Sequence, residues 1–248
     1  MSPSSFVSKT PGSGESNRII QGLWIGSGLS VMERLSIISF LRNGHEYHLY
    51  TYDDLPNVPD GVVIKDANGV LPASAIFQYK DRPSYAGFAN YFRYQLLLER
   101  GGWWADTDVV CLRPFDFAPE YVFAGEAAAG QIVVNNGVIK APAGSEIMAC
   151  AVGVCETKNP DLLVWGETGP KLLTELVRKY RLDEYLQPYE VFCPIEDWHK
   201  VLEPYVAAVP QTAYAVHLWN SMWKFGNQDK DARYHPGCIY EQLKTKYL

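Results

Sequence analysis

Between residues 19 and 66 the apolar positions switch twice between short unbroken runs and helical spacing. The segment Ile19–Trp24 is mostly apolar and ends at Gly26-Ser27-Gly28, which predicts a buried strand running into a turn. A helix should follow, because Val31, Leu35, Ile38 and Leu41 recur on one face. Ser30 with Glu33 forms a capping box at its start, and Asn43-Gly44 supplies a stop. Residues 46–52, rich in Tyr, Leu and Thr, predict a second strand, Asp53-Asp54 opens a loop, and residues 62–64 predict a third strand. Strand, helix and strand in close succession imply parallel pairing with helices laid on the sheet.

Pro83-Ser84 introduces the next helix, predicted to run through Leu98 and to stop at Gly101-Gly102, with Phe88, Phe92 and Leu96 as its apolar stripe. Asn90 and Arg93 stand three apart on it, so their side chains share a face and can reach one ligand. From Trp103 onward the chain reads as a strand that carries Asp106, Thr107 and Asp108 ahead of Val109 and Val110. Weaker patterns predict strands near 131–140 and 214–219, and helices near 146–157 and 171–180. Residues 1–17 are rich in Ser, Pro and Gly and read as a flexible tail. No segment is long and apolar enough for a signal peptide or a membrane span, which leaves contact with a membrane surface as the only membrane role.

Composition narrows the classes. The chain has 248 residues, 47 % of them hydrophobic, enough for the core of a complete enzyme. A formal charge of −6 argues against wrapping nucleic acid, which needs a broad basic face, while leaving room for one local anion pocket. The five cysteines show neither a CxxC pair nor zinc-type spacing, so a reducing, cytoplasmic compartment is the default.

Asp106-Thr107-Asp108 is the sharpest chemical feature. Two carboxylates one residue apart on a turn leaving a strand can share a divalent cation, directly or through water. Such a cation bridges two phosphates and neutralises charge on a departing diphosphate. A D-x-D triplet by itself is common, and solvated acidic turns account for most occurrences. Its neighbours raise it. Ala89-Asn90-Tyr91-Phe92-Arg93-Tyr94-Gln95-Leu96-Leu97 followed by Gly101-Gly102-Trp103-Trp104-Ala105-Asp106-Thr107-Asp108 resembles the core signature of the DXD-containing glycosyltransferases. That group includes Och-type mannosyltransferases, α-1,4-galactosyltransferases and the catalytic domains of glucosylating toxins. Ile20-Gln21-Gly22-Leu23-Trp24-Ile25-Gly26 is similar to their first strand, Thr168-Gly169-Pro170 to their Thr-Gly-Pro element, and residues 217–223 to their late His and Ser-x-Trp segment.

The resemblance implies an α/β fold of the GT-A type, a Rossmann-like sheet with helices on both faces. It would form one domain over residues 18–248, with a nucleotide-binding half to about residue 112 and an acceptor half beyond it. It further implies Mn²⁺ or Mg²⁺ and a nucleotide sugar, UDP-hexose first, with a hydroxyl acceptor on a glycan, a lipid-linked sugar or a protein. Position by position, Trp24 would stack on the base beside Gly26, and Arg93, with Asn90 next to it, would contact the diphosphate or the sugar. Asp108 would bind the metal, and Asp106 the ribose, the sugar or the metal. His217 or Asn220 would complete the metal shell, and Ser221 with Trp223 would close over the diphosphate as a lid. An aromatic face suits a base, and a guanidinium fork suits phosphate oxygens.

Each residue also has a structural alternative. Trp24 fits a core position, Arg93 could pair with Glu99 or another acid, and His217 could be an ordinary strand histidine. Asn135-Asn136-Gly137 reads first as a turn, and Thr168-Gly169-Pro170 first as a helix start. The chain also departs from the family pattern: Asn90 stands where the family usually has Asp, Gln21 where it has His, and Trp104 where it has Tyr. In the implied reaction the anomeric configuration is retained, Arg93 and the metal draw electrons toward the leaving diphosphate, and a phosphate oxygen takes the acceptor proton. Two rivals remain. Asp106-Thr107-Asp108-Val109-Val110 also fits the D-x-D-x-[TV] pattern of haloacid-dehalogenase-like phosphatases, although it lies some 100 residues later than such motifs do. The Asn90 departure allows a non-catalytic nucleotide-sugar binding module.

Overall fold

A computed structural model describes residues 17–128, 130–205 and 209–248. The tail predicted over residues 1–17 lies, apart from Asn17, outside them. The parallel core of the sheet comes from the first half of the chain: β1 (Ile19–Trp24), β2 (Glu46–Thr51), β3 (Val63–Asp66) and β4 (Gly102–Ala105). Helix α1 (Val31–Arg42) links β1 to β2, and α2 (Ala86–Arg100) precedes β4. The capping box at Ser30 forms as predicted, with the Ser30 N–H donating to Glu33 Oε2 at 2.7 Å and the Met32 N–H donating to Ser30 Oγ at 3.2 Å. β7 (Gln131–Ala141) then pairs antiparallel with β4, and β6 (Val122–Ala128) antiparallel with β7, giving the order β3-β2-β1-β4-β7-β6.

Strand residues alternate between the two faces of the sheet, as period two requires. Tyr50, Trp104, Phe123 and Ile139 face Phe88, Phe92 and Leu96 of α2, together with Ile147 of α3 (Glu146–Thr157) and Leu173 of α4 (Leu172–Lys179). Their neighbours Leu49, Trp103, Val122 and Val138 pack with Ile37 and Phe40 of α1 and with Phe192 of α5 (Tyr189–Phe192) on the other face. The outer side of α1, through Met32 and Leu35, meets a third apolar group. This group holds Val110 of β5 (Val109–Cys111), Val216 of β8 (Ala215–His217), Trp223 of α6 (Asn220–Phe225) and Tyr240 of α7 (Ile239–Tyr247). Among the described residues no helix is long and apolar enough to cross a membrane.

Three sequence expectations change. The strand from Trp103 through Val110 is two strands in different sheets: β4 ends at Ala105, and β5 pairs antiparallel with β8. Asp106 accepts from the Val109 N–H at 3.0 Å, a tight turn that redirects the chain between the sheets. Asn135-Asn136-Gly137 lies inside β7 and is no hairpin turn. Phe123 pairs with Ile139 but Ala124 with Asn135, so residues 136–138 bulge out of register with β6 while β7 stays paired to β4 through Val138 and Ile139. Asn135 Oδ1 accepts from the Gly137 N–H at 2.7 Å, which satisfies locally the bond that a turn would have made. The predicted strand at 214–219 shortens to Ala215–His217.

Candidate metal and anion site

Asp106 and Asp108 bracket the turn between the sheets, at the carboxyl end of β4. The open end of a parallel strand is where α/β sheets leave room for ligands. Asp106 is held from three sides. Its backbone N–H donates to Gly137 O on the β7 bulge at 2.8 Å, and its Oδ1 takes the Trp104 indole N–H at 2.8 Å and Arg93 Nη1 at 2.9 Å. Trp104, in place of the family's usual Tyr, thus reaches the motif with an N–H donor and also lies under Arg93, whose Cζ is 4.9 Å from the ring centroid. Arg93 is buried, with its side chain 4 % exposed. Nη1 also donates to Asn136 O, and Nε donates to Ala89 O at 3.2 Å. The alternative pairing with Glu99 does not form; Glu99 accepts from Gln95 at 2.6 Å instead.

Asp108 meets the second sheet. Its carbonyl accepts from the Leu218 N–H at 2.9 Å, its Oδ2 accepts from the Asn220 N–H at 2.6 Å, and His217 Nε2 is 3.6 Å from the same oxygen. The two carboxylates are driven apart by their partners. Burial pushes Asp106 above the usual carboxylate range, and Arg93 only partly offsets that. Burial also opposes ionisation of Asp108, but the neighbouring His217 and the Asn220 N–H together hold its pKa below the ordinary value. Burial disfavours the charged form of His217, yet Asp108 outweighs it and raises the imidazole well above its usual 6.5. The pair therefore favours a charge-separated Asp108 and His217.

Asp106, Asp108 and His217 offer ligand atoms that all lie within 4.8 Å of one another. Asp108 Oδ1 is buried and has no hydrogen-bond partner, a costly state for a carboxylate oxygen unless something positive meets it. Two carboxylates and one imidazole form an oxygen-rich donor set of the kind that suits a hard or borderline divalent cation. These residues fit a metal on their own geometry. Asn220 contributes its backbone N–H to Asp108.

The other expected site residues are placed unevenly. Asn90 is buried beside Arg93, accepts from Asn136 Nδ2 at 2.5 Å and lies 3.5 Å from Thr168 Oγ1 through its own Nδ2, so it ties α2 to the β7 bulge and to the turn before α4. Gln21 is likewise structural, donating to Gly101 O at 2.9 Å. Trp24 is half-buried at the end of β1, with its N–H on Gly28 O at 3.0 Å and Lys230 Nζ 5.2 Å from the ring centroid; Gly26 lies against the same indole. Ser221 is half-buried in the first turn of α6. Trp223 departs from the lid expectation: it is fully buried, with Tyr240 at 4.8 Å and Tyr234 at 5.8 Å, because its ring completes the third apolar core.

Sequence reading missed Glu126, Asn135 and Trp219. Asn135 Nδ2 donates to Glu126 Oε2 at 2.5 Å and lies 3.4 Å from His217 Nδ1, and Trp219 Nε1 donates to Glu126 Oε1 at 3.3 Å. Asn135 falls in an Asn-Asn-Gly run whose local signal is a turn, and residues 122–128 show too little polar alternation to mark Glu126.

Residues 33–124 match the family model described as a glycosyltransferase sugar-binding region containing a DXD motif. The matched stretch includes Arg93, Asp106 and Asp108 and stops short of Trp24 and His217. A human α-1,4-N-acetylglucosaminyltransferase is 27 % identical over an alignment 147 residues long; the match covers 52 % of this chain and 41 % of that protein, so the chain spans about two fifths of the relative's length. Among solved structures, the PaToxG glycosyltransferase aligns at a TM-score of 0.49 with 17 % identity, covering 66 % of this chain and 69 % of that one. The apo-form glycosyltransferase GlyE of Streptococcus pneumoniae TIGR4 aligns at 0.43 with 15 % identity, covering 93 % and 63 %.

Proposed function

Because residues 33–124 carry the sugar-binding region of the DXD-motif glycosyltransferases, we propose that this protein transfers a hexose from a nucleoside diphosphate, UDP foremost, to a hydroxyl of a saccharide acceptor. We propose with it a single catalytic domain over residues 18–248, retention of the anomeric configuration and a role in polysaccharide synthesis. The observation that carries the reading is the convergence of Arg93, Asp106, Asp108 and His217 on one partly buried point where Asp108 Oδ1 has no partner.

Asp106, Asp108 and His217 would hold manganese or magnesium, which neutralises charge on a bound diphosphate. The chain's own residues prepare that encounter. Asp108 stays ionised because His217 and the Asn220 N–H favour its charged form. Arg93 is fixed by Ala89 O through Nε, by Asp106 and Asn136 O through Nη1 and by the Trp104 ring through its planar face, which leaves Nη2 for a phosphate or sugar oxygen. Such preorganised charge stabilises the leaving diphosphate without side-chain rearrangement during the reaction. Trp24, at the end of β1, supplies the aromatic face for the base.

A panel of nucleotide sugars tests this by thermal shift and by hydrolysis, with and without Mn²⁺. UDP with Mn²⁺ should raise the melting temperature, since a ligand bound to the native state stabilises it. Asp108→Asn should lower turnover by about a thousandfold while leaving the circular dichroism spectrum unchanged. A panel in which no nucleotide raises stability and no nucleotide sugar is consumed would sink the reading.

A further inference from the structure

Beyond His217 the contacts continue into a polar and aromatic pair for which the donor reading has no use. Glu126 lies on β6 and is half-buried, its two oxygens taken by Asn135 Nδ2 at 2.5 Å and Trp219 Nε1 at 3.3 Å. Trp219 joins β8 to α6. Its ring lies 4.8 Å from that of His217 at an interplanar angle of 43°, and it too is only half-buried.

The backbone of Trp219 is unusual. It adopts φ 51° and ψ 57°, the left-handed region, where a residue other than glycine is held at a cost of about 1–2 kcal/mol. A bulky ring kept there points to surroundings that over-determine it. Here the Glu126 bond and the His217 face do so, and they leave indole surface at the rim of the metal site.

We propose that Trp219 and Glu126 form the acceptor subsite, and that the acceptor is a pyranose. A pyranose offers an apolar C–H face that an indole can cover, and beside it hydroxyls whose protons a carboxylate can accept. The placement suits the second substrate. Trp24 ends β1 in the parallel half of the sheet and Arg93 stands on α2, which precedes β4, whereas Glu126 and Trp219 come from the antiparallel edge and from the β8–α6 junction, one side chain beyond His217. Glu126 already has two donors, so a sugar hydroxyl would use the remaining lone pairs of the same oxygens. The carboxylate also disfavours a phosphorylated acceptor at this spot. The inference rests on the transferase reading above and assigns the residues that would bind its second substrate.

The test uses the full chain with Mn²⁺ and whichever UDP-sugar it consumes, offered methyl pyranosides and octyl pyranosides as acceptors. The two forms separate a free sugar from a lipid-linked one. Trp219→Ala and Glu126→Gln should each raise the KM for the accepted pyranoside by about tenfold or more, because a site built around a hydroxyl loses that much when its partner is changed. The KM for the donor should stay within a factor of about two, as acceptor contacts are separate from donor contacts. Trp219→Phe, which keeps an aromatic face but loses the N–H, should restore most of the acceptor affinity lost in the alanine variant.

Acceptor KM unchanged in both variants, or donor and acceptor KM rising together, would overturn the proposal. So would a wild-type enzyme that hydrolyses a UDP-sugar yet uses no pyranoside and glycosylates a peptide hydroxyl instead, an outcome that leaves the donor reading standing. A wild-type protein that neither binds UDP with Mn²⁺ nor consumes any nucleotide sugar removes the donor reading itself.

Discussion

On the parallel side of the sheet the site residues stand on long regular elements, and each has an anchoring partner close in sequence. Arg93 leans on Ala89 one helical turn back, Asp106 takes the indole N–H of Trp104 two residues before it, and Trp24 bonds Gly28. On the antiparallel side the residues sit on a bulge, a three-residue strand and a six-residue helix, and their partners are remote: Asp108 with Asn220, Asn135 with His217, Glu126 with Trp219. The first arrangement is rigid because regular secondary structure sets it. The second is rigid only if the whole polar network closes, which makes it the side where binding partners can be exchanged at least cost to the fold.

Arg93 is the residue that joins the two sides, and removing its charge should cost the fold the most. Arg93→Met leaves Asp106 partly buried without its cation and frees Asn136 O on the bulge. Breaking a buried pair from one side costs about 3 kcal/mol or more, and turnover should fall by about a hundredfold or more. Urea denaturation with parallel kinetics checks both. Stability close to wild type would mean that the two sides are not coupled through this residue.

Gly125→Ala strikes the antiparallel side alone. A Cβ there would run into the backbone oxygen of Gln187 and lie 3.2 Å from Ile132 Cγ2, so β6 must shift, at about 1–3 kcal/mol. Denaturation should show that loss, and acceptor KM should suffer more than donor KM. Ser30→Ala strikes the parallel side alone. It removes the cap of α1 and should cost about 1 kcal/mol, with turnover near wild type.

The smallest effect is expected away from the site residues, between α1 and β2. His45 is buried, its Nε2 accepts the Phe115 N–H at 2.9 Å, and burial lowers its pKa from the ordinary 6.5. With a folded pKa below the unfolded one, the unfolded chain takes up the proton first as pH falls. The stability contribution is complete above about pH 6.5 and is lost below it. Melting temperatures of wild type and His45→Asn measured from pH 7.5 down to 5 should converge at the acid end. A gap that widens on acidification would contradict the assignment.

How legible the molecule was in its sequence varies with the same division. Helical spacing from Val31 to Leu41 and the Ser30 capping box located α1, and the Phe88, Phe92 and Leu96 stripe located α2, because the signals for those elements lie within one turn of the residues they govern. Asn135-Asn136-Gly137 misled for a matching reason: the dipeptide signal for a turn is local, whereas the choice of a bulge is made by pairing with β4 on one side and β6 on the other. The resemblance of residues 217–223 to a Ser-x-Trp segment implies a lid role for Trp223, but packing against Tyr234 and Tyr240, which follow it by eleven residues or more, buries it.

What the sequence determined by itself is the parallel α/β core, the helix that carries Arg93, and the presence of two carboxylates at the end of a strand, since period, caps and motif spacing are properties of contiguous residues. Tertiary structure alone decided that Asp108 meets His217 across 109 positions of chain, that Asn90 serves as a link between α2 and the bulge, and that Glu126 and Trp219 stand at the rim. Those contacts depend on how two sheets are set against each other. No local pattern encodes that geometry; burial of the three apolar groups around α1 and α2 does.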